Sequence, residues 1–242
     1  MIYYVSFSSE QIHMLQHSYI EALDVLEIGV DEAGRGPLFG RVYAGAVILP
    51  KDDDTFDFSQ IKDSKKFTSK KKLEDVANYI KENAVAWAVS FETEKVIDNM
   101  NILQATQKAM HSAIRECRYM AEKKELNTAD YHLLVDGNYF NSFIGFDKLT
   151  NQITSIPHTC VKGGDNVYSC IAAASILAKT HRDAYIETMC DEYPWLDELY
   201  SIRSNKGYGA KKHMNAIQEH GVSQWHRRSF APCKTAHVIN PT

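Results

Sequence analysis

Apolar positions recur along this chain with two spacings, and each predicts a backbone conformation. Two short β-rich runs, V-L-E-I-G-V over 25–30 and R-V-Y-A-G-A-V-I-L over 41–49, are bounded by glycine or proline and read as neighbouring strands. A third strand is expected at 84–91 (A-V-A-W-A-V-S-F), a fourth at 131–135 (Y-H-L-L-V) and a fifth at 153–158 (I-T-S-I-P-H). Helical spacing appears in S-K-K-K-L-E-D-V-A-N-Y-I-K-E, where Leu73, Val76, Ala77 and Ile80 share a face. It returns over 93–125 through Ile97, Ile102, Ala105, Ala109 and Ile114, with an interruption at Asn101, and again over 167–189, whose I-A-A-A-S-I-L-A-K centre permits close packing. The opening S-S-E-Q-I-H-M-L-Q-H-S-Y-I-E-A-L predicts an amphipathic helix capped by Ser8 or Ser9.

Strands first, then strands alternating with helices, imply a sheet with antiparallel neighbours at one side and helices on its faces. The class is α/β, with a less apolar, Lys-, His- and Arg-rich helical appendage at the carboxyl end. At 242 residues the chain fits one large domain with at most a small addition. With 44% hydrophobic and 24% charged residues it is expected to be a soluble globular protein. No apolar run approaches the roughly 20 residues that span a bilayer, and the start lacks a basic region followed by an apolar one, so neither membrane insertion nor secretion is expected. Five scattered cysteines with no C-x-x-C pair suit a reducing compartment.

Chemistry concentrates in G-V-D-E-A-G-R-G-P-L-F-G. The glycine spacing is wrong for a dinucleotide fingerprint and a strand, not a helix, follows. A phosphate-cradling G-x-x-x-x-G-K-[ST] loop and a G-x-S-x-G elbow are absent. His13 and His17 have metal-pair spacing without the glutamate of H-E-x-x-H, which leaves a helix face as the simpler reading. Carboxylates are more informative: Asp31 and Glu32 close the first strand, Asp136 closes the fourth in L-L-V-D-G-N, and Asp165 lies in the glycine-loosened V-K-G-G-D-N. If strands one and four are neighbours, their acids converge at one sheet edge. Clustered acids repel unless a cation intervenes, and oxygen-only ligands select Mg²⁺ or Mn²⁺ over zinc. The alternative is that each acid only terminates a strand and pairs with a surface lysine. Alternation along a strand stops Asp31 and Glu32 from facing the same way, so Glu32 is expected past the strand's end.

The net charge of −4 carries no global nucleic-acid signature, so a polyanion would meet local basic patches. Lys62, Lys65, Lys66 and Lys70 to Lys72 form one; Lys206, Lys211, Lys212, His213, His226, Arg227 and Arg228 form another. Either could be a solvated surface, but beside an acidic centre they suit a phosphodiester backbone.

Together these residues resemble the type 2 ribonucleases H, the bacterial ribonuclease HII family. The likeness runs from Ile28 to Phe230 through G-V-D-E-A-G-R-G-P, K-D-S-K-K, L-V-D-G-N, K-G-G-D with I-A-A-A-S-I-L-A-K-T-H-R-D, N-K-G-Y-G-A-K-K-H and H-R-R-S-F. It implies a ribonuclease H-like mixed five-stranded sheet flanked by helices, over 25–200, with an amino-terminal extension at 1–24 and a carboxy-terminal helical substrate-binding segment at 201–242. It implies cleavage of RNA in RNA/DNA hybrids and incision at single ribonucleotides in duplex DNA, by two-metal hydrolysis leaving 3′-hydroxyl and 5′-phosphate ends. By motif, the catalytic metal ligands for Mg²⁺ or Mn²⁺ are Asp31, Glu32, Asp136 and Asp165. Gly34, Arg35 and Gly36 grip the ribonucleotide, Lys62, Ser64 and Lys65 bind substrate, and Tyr208 stacks on the following deoxyribose. The partner is nucleic acid rather than membrane, and a cytoplasmic monomer is expected.

Three features depart from the family pattern. Phe39 and Arg41 replace small residues, with Arg41 either contacting phosphate or facing solvent; K-G-G-D carries an extra glycine, which leaves Asp183 as a rival to Asp165; and the lead before Val25 has no assigned role. Other readings are a different metal-dependent nuclease on a related sheet, such as a junction resolvase or exonuclease, and a catalytically silent nucleic-acid-binding module.

Overall fold

A computed structural model describes residues 14–51, 56–64, 67, 69–124, 130–147 and 151–239. Among them, a five-stranded sheet is built around β1 (Val25–Ala33). On one side β1 pairs antiparallel with β2 (Val42–Ile48), which pairs antiparallel with β3 (Ala86–Glu92). On the other, β4 (Asp130–Asp136) and β7 (His158–Val161) run parallel to it, giving the order β3-β2-β1-β4-β7. This is the mixed sheet expected from the strand and helix order.

Helices cover both faces. Between β2 and β3 lies α1 (Lys70–Asn83), capped by the Ser69 hydroxyl, which accepts from the Lys72 amide at 3.1 Å, and buried through Leu73, Val76, Ala77 and Ile80. Next, α2 (Glu94–Met100) and α3 (Ile102–Lys123) are separated at Asn101, whose φ of 71° breaks the helix while its side chain accepts from the Gln104 amide. Ala109, Ala113, Ile114 and Cys117 of α3 pack on Ile28, Val30, Ala44 and Ala46 of the sheet.

The opposite face belongs to α4 (Ser169–Glu192), which is buried almost all round at its amino-terminal half. Its backbone sits directly on the sheet. A Cβ on Gly29 would fall 2.2 Å from the Cys170 carbonyl carbon, and one on Gly45 2.3 Å from the Ala174 oxygen. This contact aims the following turns of α4 at the carboxyl end of β1. Helices α5 (Pro194–Tyr200), α6 (Ile202–Asn205) and α7 (Lys211–His220) then form a second apolar cluster, in which Phe39, Ile186, Leu196, Ile217 and Val222 are buried together.

Three expectations change. β1 continues through Ala33, so Asp31 and Glu32 pair with Gly45 and Ala44 instead of ending the strand. The run at 153–158 is split: β6 (Gln152–Ser155) folds back on β5 (Ile144–Asp147) as a separate ribbon, and the chain joins the main sheet only after Pro157, at His158. The amino-terminal helix is not formed over the described residues 14–22, because the backbone there bonds elsewhere: Gln16 pairs with Val167 and Ser169. His13 lies outside the described residues, and His17 stacks on Phe58 with centroids 3.9 Å apart.

The α4 seat is testable. Gly45→Ala should destabilise the protein by about 1–3 kcal/mol, as overpacking does. Urea unfolding should show a lower midpoint with an unchanged slope; an unaltered midpoint would mean that α4 does not rest on the sheet.

Candidate active site

The site begins with strand register. Val30 stands opposite Val135 in the parallel β1–β4 pair, so the next residues, Asp31 and Asp136, fall side by side. Both lie on the face that holds α4, two positions beyond Gly29 and Leu134, on strands about 4.8 Å apart. The carboxyl ends of parallel strands are where open α/β sheets bind ligands.

Asp165 comes to the same place by a different route. It sits, 3% exposed, in a 3₁₀ turn at Gly164–Asn166, and the Gly164 amide donates to Asp136 Oδ1 at 2.7 Å. Glu32 belongs to the other face by alternation, yet at the sheet rim its side chain lines the same cleft, 3.5 Å from Arg35. All four acids therefore border one cavity of about 440 Å³, together with Ser64, Ser175, Lys179 and Lys206. Asp183 does not join them: it pairs with Lys179 at 3.2 Å and Arg182 at 3.1 Å along α4.

Electrostatically the acids are in conflict. Burial pushes Asp31 well above the ordinary carboxylate range, and the charges of Glu32 and Asp136 push it further. The Ser175 hydroxyl and the Glu32 amide, the latter 2.7 Å from Asp31 Oδ1, pull in the other direction. Burial raises Glu32 too; Arg35 opposes that and Asp136 adds to it. Among the described residues no three His, Cys, Asp or Glu side chains converge tightly enough to cage an ion by themselves. The acids line the cleft and repel across it. An all-oxygen donor set under that repulsion fits a hard divalent cation, whose charge would reverse the sense of these shifts.

Beside the acids, the Gly34–Arg41 loop wraps around a buried cation. Arg227 is fully buried and donates to the carbonyls of Gly34 (2.6 Å), Arg35 (2.9 Å), Gly40 (2.9 Å) and Arg41 (3.1 Å). Burial, then Arg182, lower its pKa to about 9, which leaves it protonated at neutral pH. Across a trans peptide the N–H points opposite to the C=O. With the carbonyls of Gly34 and Arg35 turned to Arg227, the amides of Arg35 and Gly36 are directed away from it. Gly34 has φ +95°, and a side chain there would strike Arg182 at 2.7 Å, so the turn requires glycine.

Tyr208 stands at the rim, 48% exposed, with the Arg182 guanidinium 5.4 Å from its ring centre. Its carbonyl bonds His213 Nδ1 at 2.8 Å, and His213 Nε2 meets His226 Nε2 at 3.0 Å. The Ser223 amide donates to His226 Nδ1, so His226 carries its proton on Nε2, and His213 carries its own on the nitrogen facing Tyr208. Burial lowers both imidazoles, His226 to about 3 with His213 contributing, which keeps the pair neutral.

The basic residues divide in ways that residue type alone does not reveal. Lys179 and Lys206 line the cleft, and Lys206 also pairs with Glu187 at 2.6 Å. Arg227, His213 and His226 are fully buried, which corrects their reading as a surface patch; they scaffold the loop and Tyr208. Lys62 lies over Phe67 at 4.8 Å, Lys211 and Lys212 face a separate groove beside Glu198 and Glu219, and Lys65 and Lys66 lie outside the described residues. Arg41 is clamped between Phe91 (4.1 Å) and Tyr185 (4.4 Å), and Phe39 packs edge-on against His226. Ser175, Lys179 and Arg182 also line the cleft, and their spacing of four and three on one helix is the sequence signal that marks them.

Known proteins resemble this chain in sequence and in fold. The model of the family described as Ribonuclease HII matches residues 28–233. A ribonuclease HII of Bacteroides thetaiotaomicron is 44% identical over 207 residues, covering 86% of this chain and 90% of that protein. One from Neisseria gonorrhoeae is 41% identical over 212 residues, 88% of this chain and 95% of its own length. Among solved structures, the ribonuclease H2 of Pyrococcus horikoshii superposes with a TM-score of 0.62 at 22% identity, over 86% of this chain and 95% of that one. A Bst ribonuclease HIII in complex with Mn²⁺ gives 0.58 at 18% identity, covering 87% of this chain and 68% of its own, and shares the fold.

The repulsion at Asp31 has a measurable consequence. A carboxylate whose folded pKa lies above its unfolded value destabilises the fold when ionised, and that penalty fades as pH falls through the folded pKa. Asp31→Asn should therefore stabilise the ion-free protein in mildly alkaline buffer by about 1 kcal/mol, a Tm rise of about 2–4 °C, with the gain shrinking in acid. A lower Tm for the variant in alkaline chelating buffer would count against the conflict described.

Proposed function

This chain belongs to the ribonuclease HII family, and from that premise we propose that it incises duplex DNA at single embedded ribonucleotides as well as cleaving RNA in RNA/DNA hybrids. Membership makes it a ribonuclease H, a metal-dependent hydrolase of phosphodiester bonds. The observation that carries the finer reading is the register that sets Asp31 beside Asp136, with the Asp165 turn tied to Asp136 through the Gly164 amide.

In this reading Asp31, Glu32, Asp136 and Asp165 would hold divalent ions, Mg²⁺ or Mn²⁺, which would supply positive charge for activating a water toward phosphorus and for stabilising the departing 3′-oxygen. The chain's own residues do the rest. The amides of Arg35 and Gly36, turned outward by Arg227, donate to the ribose 2′-hydroxyl and neighbouring phosphate, and glycine lets backbone approach without a Cβ. Tyr208, held from behind by His213 and flanked by Arg182, stacks on the sugar that follows the ribonucleotide. Lys179 and Lys206, with Ser64 beside them, meet phosphates. Water rather than the 2′-hydroxyl is the nucleophile, so the ends formed are 3′-hydroxyl and 5′-phosphate.

No helix among the described residues is long and apolar enough to cross a membrane, and the substrate is nucleic acid.

A duplex carrying one ribonucleotide should be cut in Mg²⁺ and left intact in chelator, whereas an all-DNA duplex should not be cut; cleavage of both duplexes would favour a general nuclease, and 2′,3′-cyclic ends would refute the water mechanism. Asp136→Asn should fold yet lose at least about 100-fold in turnover, because one ligand charge disappears from the metal centre. Tyr208→Ala should impair single-ribonucleotide incision more than hybrid cleavage; equal losses would remove its junction-reading role.

A further inference from the structure

The lead before β1 is joined to the cleft by its backbone. Gln16 donates its amide to the Val167 carbonyl at 2.7 Å and accepts from the Ser169 amide at 2.9 Å, a parallel bridge astride Tyr168. Ser169 is the first residue of α4, and the N-cap residue Tyr168 makes no side-chain capping bond. The first amides of a helix have no partner within it. Here one of them is satisfied by a carbonyl from the lead.

The lead is itself pinned by a buried acid. Glu27 of β1, 4% exposed, accepts from the Tyr19 amide at 3.0 Å and the Ile20 amide at 2.5 Å, and pairs with Lys51 at 3.2 Å. Lys51 closes the clamp by donating to the carbonyls of Ile20 (2.6 Å) and Ala22 (3.0 Å). Charge-assisted bonds of this kind are roughly twice as strong as neutral ones. Tyr19 further packs edge-on to Tyr168, with centroids 5.8 Å apart.

What the lead restrains is the turn that carries Asp165. That turn starts at one glycine, Gly164, and follows another, Gly163, in the left-handed region at φ +65°, so its local sequence gives it little rigidity. At one end the Gly164 amide bonds Asp136; at the other, Val167 and Ser169 bond Gln16, two and four residues beyond Asp165. We propose that the amino-terminal lead is a positioning element of the active site, with Gln16 capping α4 and Glu27 anchoring the strap so that Asp165 is held on the cleft beside Asp136. The inference rests on the nuclease reading above for the role of Asp165.

The test uses full-length protein and Mn²⁺ as the probe. Gln16→Pro deletes the amide that donates to Val167, whereas Gln16→Ala keeps both backbone bonds and replaces only an exposed side chain. In Gln16→Pro, hydrogen exchange at the amides of residues 166–169 should speed up, Mn²⁺ affinity by calorimetry should fall by about tenfold, the equilibrium effect of roughly one hydrogen bond, and kcat should fall with KM unchanged. Gln16→Ala should match the unaltered protein. Glu27→Gln, which keeps an acceptor and removes the charge facing Lys51, should shift exchange and affinity the same way by less. Unchanged exchange and unchanged Mn²⁺ affinity in Gln16→Pro would overturn the proposal, and if that variant does not fold, the same result in Glu27→Gln overturns it. Failure of the nuclease reading looks different: the unaltered protein would then neither bind Mn²⁺ nor cut the ribonucleotide duplex.

Discussion

The parallel pairing of β1 with β4 is the constraint on which the rest of the molecule depends. A slip of one residue would turn Asp136 to the α3 face and leave Asp31 alone beneath α4. The register is held because both strands are buried on both faces: Ile28, Val30, Leu133 and Val135 meet α3, while Leu134 meets the α4 side. The apolar core therefore does more than stabilise. It brings two acids together that electrostatics alone would separate.

That assembly sets stability against function within a few ångströms. Asp31 is buried beside two other acids, and its neutral partners, Ser175 and the Glu32 amide, soften the repulsion without cancelling it. The surroundings are rigid where the acids are strained. α4 is seated on the sheet at Gly29 and Gly45, so Ser175 cannot move away from Asp31, and Ser64 meets Ser175 at 3.2 Å from the other side. Strain held by an over-determined frame is a common property of functional sites. Here the frame is helix backbone packed on strand backbone, with no side chain between them to yield.

Much of the fold was legible because burial imposes periodicity. The face of α1, the break at Asn101 and the small-residue centre of α4 follow from apolar spacing and from what each residue type permits, and the helices on both faces follow from the alternation of strands with helices. Asp31, Glu32 and Asp136 could be picked out since each follows a strand's apolar run where the next core residue was due, whereas Asp165 was marked only by its motif. Less legible was whatever depends on a partner distant in sequence. The lead has a helical pattern, but its amides are taken by Glu27 and its carbonyl by Ser169, contacts no local window contains. The 153–158 run contains strand-forming residues, yet Gln152–Ser155 finds its partner in β5 rather than in the sheet.

The cations show the same limit at its sharpest. H-R-R-S-F offers two arginines side by side, and nothing local says that one is buried among carbonyls while the other keeps a guanidinium bond to Ala236. Arg227 works as a core residue because its planar fork carries several donors at fixed angles, and Gly34, Arg35, Gly40 and Arg41 supply acceptors to match. A lysine could satisfy at most three of these from a point charge on a flexible stem, and would leave a buried carbonyl unpaired. The cost of burying the charge is thus offset by the order it imposes: four carbonyls facing one centre force the intervening amides outward. In this chain a cation hidden from solvent shapes the surface that an anion would meet.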